Sequence, residues 1–165
     1  FVKSRVSLKR QIDGAGQENG LRAGTEKVAG IAAFGQACEL IRAHLNEYAK
    51  TMRIARDALL GEFRTRSRRG FTILGDLDNG LPNTLSVSFE GIGSTDLMAY
   101  APEVAMSPGA ACHARDQAIS HVLSAMGYGF VVAHGAVRFS TGRYSSVPEI
   151  RHAADKILEY TNRGR

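Results

Sequence analysis

The sequence predicts a two-layer α/β domain, a small sheet covered by helices, with one long helix as its N-terminal spine. Three observations predict it. Apolar residues recur every three or four positions from Val28 to Phe63, and short segments after that alternate between apolar and small polar residues. Near the end, Ser146, Pro148 and Glu149 form a complete helix-start signal. A period near 3.6 marks a helix with one apolar face, and a period of two marks a strand. Helices and short strands that interleave in this way bury each other as two layers.

Phe1 to Leu8 alternates loosely and reads as a short strand. Gln11 to Thr25 carries Gly14, Gly16, Gly20 and Gly24 among polar residues and reads as loop. From Lys27 the stripe Val28, Ile31, Cys38, Ile41, Leu45, Met52, Leu59 and Phe63 predicts the spine helix. Phe71 to Leu74 reads as a strand. Leu81 to Phe89 is another, with Leu85, Val87 and Phe89 on one face and Thr84, Ser86 and Ser88 on the other. A short helix through Leu97 and Tyr100 follows, then a brief strand at Val104 to Met106. Ser107 to Ile119 is a polar loop of small residues, and Val122 to Met126 is a helical stretch stopped by Gly127. Ala136 to Ser140 alternates as a strand. The terminal helix starts at a capping box, Ser146 with Glu149 three residues on, and Pro148 suits its first turn.

The composition, 44% hydrophobic and 22% charged, is that of an ordinary globular chain, and no apolar run approaches the ~20 residues that cross a bilayer. The start lacks an initiator Met and a signal peptide's apolar centre, so the chain reads as a piece of something longer. Two cysteines make no disulfide framework, which places the protein by default in a reducing cytoplasm, and no zinc-type cluster is visible. Cys38, at an apolar helical position, reads as a small buried hydrophobe. The net charge of +5 draws on Arg64, Arg66, Arg68 and Arg69, which read as a solvated loop with cations at a helix C-terminus. There is no Trp, and no aromatic side chain lies among these arginines to stack on bases, which argues against nucleic acid.

Four places carry residues suited to chemistry. The stretch Gly14-Ala15-Gly16-Gln17-Glu18-Asn19-Gly20 fails the dinucleotide fingerprint, because Asn19 stands where the third glycine is required. It leads to Gly24-Thr25 just before the spine helix, where Thr25 is either a helix cap or a phosphate ligand. Ser107-Pro108-Gly109-Ala110-Ala111-Cys112-His113-Ala114 places a thiol on a loop, with His113 and Arg115 as cationic neighbours that favour the reactive thiolate. Arg138 protrudes from a strand otherwise built for burial. Its planar fork suits either a structural carboxylate or that of a ligand. Arg143 reads as a structural partner at the following turn.

The stretch from Gly14 to Glu26 resembles the GGGQERGLRAGTEN segment of NifS/IscS-like cysteine desulfurases. Leu81 to Phe89 resembles their LPNTLNVSF strand, Ser107 to Cys112 their SSGSAC loop, and Ala133 to Arg143 their AHSSIRFSLGR. The four motifs stand in the family's order and span essentially the whole chain.

The resemblance implies the small C-terminal domain of a pyridoxal-phosphate-dependent transferase of fold type I, class V aminotransferase-like and dimeric. On this basis residues 1–26 are the tail of the large cofactor domain and 27–165 the small domain. The cysteine at 112 would take sulfur from L-cysteine, leaving alanine and an enzyme persulfide for a sulfur acceptor or scaffold protein in iron–sulfur or thiolation pathways. Arg138 would hold the substrate carboxylate, and Thr25 the phosphate of the partner subunit's cofactor. Pro108 and Ala110 depart from the serines usual in the loop, Ile119 from the proline before Ser120, and Asn19 from an arginine. The triplet Ala111-Cys112-His113 also resembles selenocysteine lyases, which leaves sulfur and selenium both open. The family's Ser-x-His-Lys motif, with its Schiff-base lysine, does not occur in these residues, so the chain alone is expected to be inactive and to hold no cofactor tightly. Two other readings stand beside this one. One is a related transaminase in which Cys112 is incidental, and the other a separate sulfur-carrier module.

Overall fold

A computed structural model of the chain describes residues 2–109 and 120–163. In order, the elements are α1 (Val28–Arg66), β1 (Phe71–Ile73), β2 (Thr84–Phe89), α2 (Ser94–Tyr100), β3 (Met106–Pro108), α3 (His121–Ala125), α4 (Phe130–His134), β4 (Ala136–Ser140) and α5 (Val147–Thr161). The strands form one antiparallel sheet in the order β1-β2-β4-β3. The predicted fold class holds: a long first helix, then a small sheet covered by helices.

By packing, the chain divides into two units, Phe1–Leu45 and Asn46–Arg165, and the division falls inside α1. In the second unit the period-two pattern decides what each sheet face meets. Leu85, Val87 and Phe89 of β2 and Val137 and Phe139 of β4 face a single apolar core. The residues that close it come from α1 (Ala55, Leu59, Leu60, Phe63), α2 (Leu97) and α5 (Ile150, Ala154, Ile157, Leu158). Phe63, with 0% exposure, is its centre, and its ring lies 5.2 Å from Phe89, 5.8 Å from Phe139 and 6.2 Å from Phe71. Removing a side chain of this size from water stabilises by about 2–3 kcal/mol. The opposite sheet face carries a smaller cluster, Leu74 and Ala136 against Leu123 of α3 and Ala133 of α4.

Cap chemistry sets the bounds of α5. The Ser146 hydroxyl accepts from the N–H of Glu149, and the Glu149 carboxylate accepts from the N–H of Ser146 at 2.9 Å and its hydroxyl at 2.7 Å. These bonds satisfy donors that a helix start otherwise leaves unpaired. They also hold the Glu149 carboxyl below the usual carboxylate range, the Ser146 hydroxyl contributing most.

Four expectations are corrected. Residues 2–8 form no strand: Val6 N–H donates to the carbonyl of Lys3 in a turn, and the described residues of that unit contain no strand to complete a ladder. The strand expected at Val104 to Met106 runs instead over Met106–Pro108, because Val104 N–H closes a turn on Ala101 while Met106 pairs with Phe139. Cys38 is exposed. Periodicity defines the helix face on which it lies, but burial needs a covering surface, and the described residues leave Val28, Ile31 and Ile41 of the same stripe open as well. The arginine run is more than a solvated loop: Arg66 bridges Glu62 at 3.0 Å and Asp155 at 2.6 Å, and half-buried Arg69 donates to the carbonyl of Thr161.

Candidate active site

Arg138 owes its place to the pleat. In β4 the side chains of Val137 and Phe139 turn into the main core, which sends Arg138 to the opposite sheet face, where it is exposed. Its register partners are Ser86 on β2 and Ser107 on β3, so two hydroxyl-bearing residues flank it across the sheet. Directly opposed residues of antiparallel strands share a face, with Cβ atoms about 4.5–5.5 Å apart. Among the described residues, the Arg138 guanidinium has no hydrogen-bond or ion-pair partner. Of the two sequence readings, no structural carboxylate for Arg138 occurs among the described residues, and the fork is exposed.

Beside Arg138 lies a cavity of about 190 Å³, with Ser86, Leu74, Leu123 and Ala136 in its walls. Gly109 and Ser120, on either side of the segment that carries Cys112, also line it. Gly109 N–H donates to the carbonyl of Ala136 at 2.8 Å, extending the β3–β4 ladder, and Ser120 caps α3 by accepting from Leu123 N–H at 3.5 Å. Cys112 itself lies outside the described residues, as do His113 and Arg115. The structure thus brings both flanks of the cysteine segment to the arginine. A cavity of this size suits a small amino acid, since sites for drug-sized ligands run to about 300 Å³ and above.

Thr25 belongs to the first unit and is exposed. It stands three residues before the first residue of α1, so the position adjoining the helix belongs to Lys27 rather than Thr25. Gly24, with φ +94°, adopts a backbone conformation that L side chains rarely take. Its turn lets one guanidinium nitrogen of Arg22 reach the carbonyls of Ala23, Gly24 and Thr25 at 3.0–3.1 Å. The N–H groups of Gly24, Thr25, Glu26 and Lys27 make no backbone hydrogen bond among the described residues. Open N–H groups and a hydroxyl at a helix start fit an anionic group such as a phosphate. The adjacent glycine loop is held by Arg10, which donates to the carbonyls of Gly20 at 2.6 Å and Gly14 at 3.0 Å. Glu18 and Asn19 both have φ above +50° in that loop.

Arg143 takes the structural role its position suggests, lying 4.7 Å from the ring centre of Tyr144 and 5.5 Å from that of Tyr48. Sequence reasoning missed Arg56. It is 3% exposed, pairs with Asp57 at 2.7 Å and donates to the carbonyls of Leu77 and Leu81, pinning the turn that leads into β2. The only signal available was one charge beside the apolar stripe. The five-residue helix α4 was missed because so short a run shows no period. No group of metal-ligating residues and no helix long and apolar enough to span a membrane occur among the described residues.

The family described as aminotransferase class-V matches residues 2–152. A protein named cysteine desulfurase IscS from Anaeromyxobacter sp. (strain Fw109-5) is 37% identical over 164 residues, which are 95% of this chain and 39% of that protein. A solved structure titled NIFS-like protein superposes with a TM-score of 0.83 at 33% identity, covering 98% of this chain and 41% of its own. Another, titled SspA in complex with cysteine, has a TM-score of 0.51 at 26% identity, over 84% of this chain and 37% of that one. The chain therefore spans about two-fifths of the length of these relatives.

Proposed function

The chain belongs to the class-V aminotransferase family, and we propose that it is the C-terminal portion of a pyridoxal-phosphate-dependent cysteine desulfurase. One observation carries this reading: Arg138, with no protein partner among the described residues, lines a cavity to which both flanks of the Cys112 segment contribute. Residues 1–26 are then the tail of the larger cofactor domain and 27–165 the small domain. The enzyme is a cytoplasmic homodimer that hands sulfur to an acceptor or scaffold protein.

The substrate is L-cysteine, which fits the small cavity and is the ligand named for one structural relative. Arg138 receives its carboxylate as a two-point fork, which fixes the amino acid's orientation as well as its charge. Cys112 acts as a thiolate, favoured by His113 and Arg115 beside it in the sequence. Its sulfur forms an S–S bond with the substrate sulfur as the substrate C–S bond breaks. The electron pair of that bond stays with the substrate carbon, which is protonated to give alanine, and Cys112 keeps the sulfur as a persulfide. Thr25 and the N–H groups near it supply the phosphate contact to the cofactor of the partner subunit. Bound pyridoxal phosphate provides the electron sink for the substrate carbon. Residues 1–165 contain no Ser-x-His-Lys lysine to hold it covalently, so this stretch alone is expected to show no pyridoxal absorbance and no turnover.

The test is alanine and sulfide release from L-cysteine by the cofactor-loaded protein that contains this chain, beside its Cys112→Ala variant. Loss of sulfide release in the variant supports the assignment. Normal release by the variant sinks it and leaves a transaminase with an incidental cysteine.

A further inference from the structure

The chain leaves β3 at Gly109, a position with no room for a side chain. A Cβ built there would lie 2.7 Å from Cβ of Ala136 and 3.1 Å from Cδ1 of Leu123. The leucine is a flexible end that can turn aside. Ala136 cannot, because it sits in the sheet, opposite Ser88 on β2 and hydrogen-bonded through its carbonyl to Gly109 itself. The backbone of Gly109 is not in the left-handed region, so what requires glycine is space and not conformation.

Ala136 also meets the chain just after the cysteine segment. Leu123, three residues after Ser120, packs with Ala136 in the small cluster on that sheet face. One small residue, two positions before Arg138, thus touches the cysteine segment where it departs and close to where it returns. A methyl on Gly109 would push the departure point off β4, while Arg138 keeps its own register with Ser86.

We propose that Gly109 is a positioning residue for sulfur transfer: its bare Cα against Ala136 sets the point from which the segment carrying Cys112 leaves the strand beside Arg138. This rests on Cys112 being the sulfur acceptor. Cys112 follows Gly109 by three residues, so displacement at Gly109 is passed to the thiol side of the reaction, while Arg138 stays in its register on β4. A misplacement of about 1 Å can lower a rate by roughly a hundredfold.

The experiment is steady-state sulfide release by the cofactor-loaded enzyme carrying Gly109→Ala, Ala136→Gly, or both. Gly109→Ala should lower kcat by roughly tenfold to a hundredfold while KM for L-cysteine stays within about twofold. Ala136→Gly in that background removes the atom the new methyl meets, and it should bring kcat back to that of Ala136→Gly alone. Undiminished turnover by Gly109→Ala, or a loss that Ala136→Gly does not relieve, overturns the proposal. Should Gly109→Ala yield too little folded protein, the double variant is compared with Ala136→Gly alone: equal kcat supports the proposal and a persisting deficit overturns it. Cys112→Ala separates the two layers of the argument. Normal sulfide release by that variant removes the acceptor reading itself. An inactive Cys112→Ala beside a fully active Gly109→Ala removes only the role of Gly109.

Discussion

The guanidinium of Arg69 donates to the carbonyl of Thr161 at 2.6 Å, tying the loop after α1 to the last turn of α5 across 92 residues of chain. The same side chain reaches the carbonyls of Glu90 and Arg163 at 3.3 Å. A cation at a helix C-terminus meets carbonyls that have no partner within the helix. Arg69→Met keeps most of the aliphatic bulk and removes the donors, so it should cost about 1.5 kcal/mol, read as a lower midpoint in urea with unchanged slope. An unchanged midpoint would return Arg69 to the solvated loop the sequence suggests.

Phe63 is the residue on which the core depends most, wedged among Phe71, Phe89 and Phe139 with no exposed surface. Phe63→Ala is expected to cost about 4 kcal/mol, a large part of the stability of a domain this size. Circular dichroism should show a sharply lowered Tm or an unfolded chain at 25 °C. A Tm within two or three degrees of the parent would mean that α1 is not the lid of this core.

Arg138→Lys keeps the charge and loses the fork. The KM for L-cysteine should rise roughly tenfold or more, because a single ammonium cannot hold a carboxylate at two points. The Tm should hardly move, since Arg138 has no protein partner among the described residues. A falling Tm with unchanged KM would make Arg138 a structural residue.

The cap of α5 gives a pH dependence with a definite sign. The folded state holds Glu149 below its ordinary carboxylate value, chiefly through the Ser146 hydroxyl and then its N–H. Its contribution is therefore complete above the unfolded value near 4.5 and fades as the pH falls through the lowered folded value. Thermal melts from pH 7 down to pH 3 should show Glu149→Gln losing less stability over that window than the parent. Ser146→Ala should cost about 1 kcal/mol at neutral pH. Parallel pH curves for the parent and Glu149→Gln would show that the cap does not titrate as described.

What could be read from the sequence depended on the range of the interaction involved. The spine helix, β2, β4 and the capped α5 were legible because their signals are local: a 3.6 period, a period of two, and a serine with a glutamate three residues on. Arg138 was legible as a charged residue in an otherwise apolar strand and Thr25 as a hydroxyl near a helix start, while Cys112 lies outside the described residues. The bounds of β3 were not, since an edge strand exists only where its partner pairs with it, and Phe139 lies 33 positions beyond Met106. Burial of Cys38 was not legible either, because a helical period says which residues share a face and nothing about what covers it.

The sequence by itself determined the composition of the core, the helix with its apolar stripe, and the alternation of the central strands. Only the tertiary structure decided which of these meet. Antiparallel pairing of β4 with β2 and β3 placed Arg138 between two serines and set Ala136 against Gly109. The physical reason is that register and close approach come from backbone hydrogen bonds between distant segments, and no local pattern encodes a distance of 2.7 Å between residues 109 and 136.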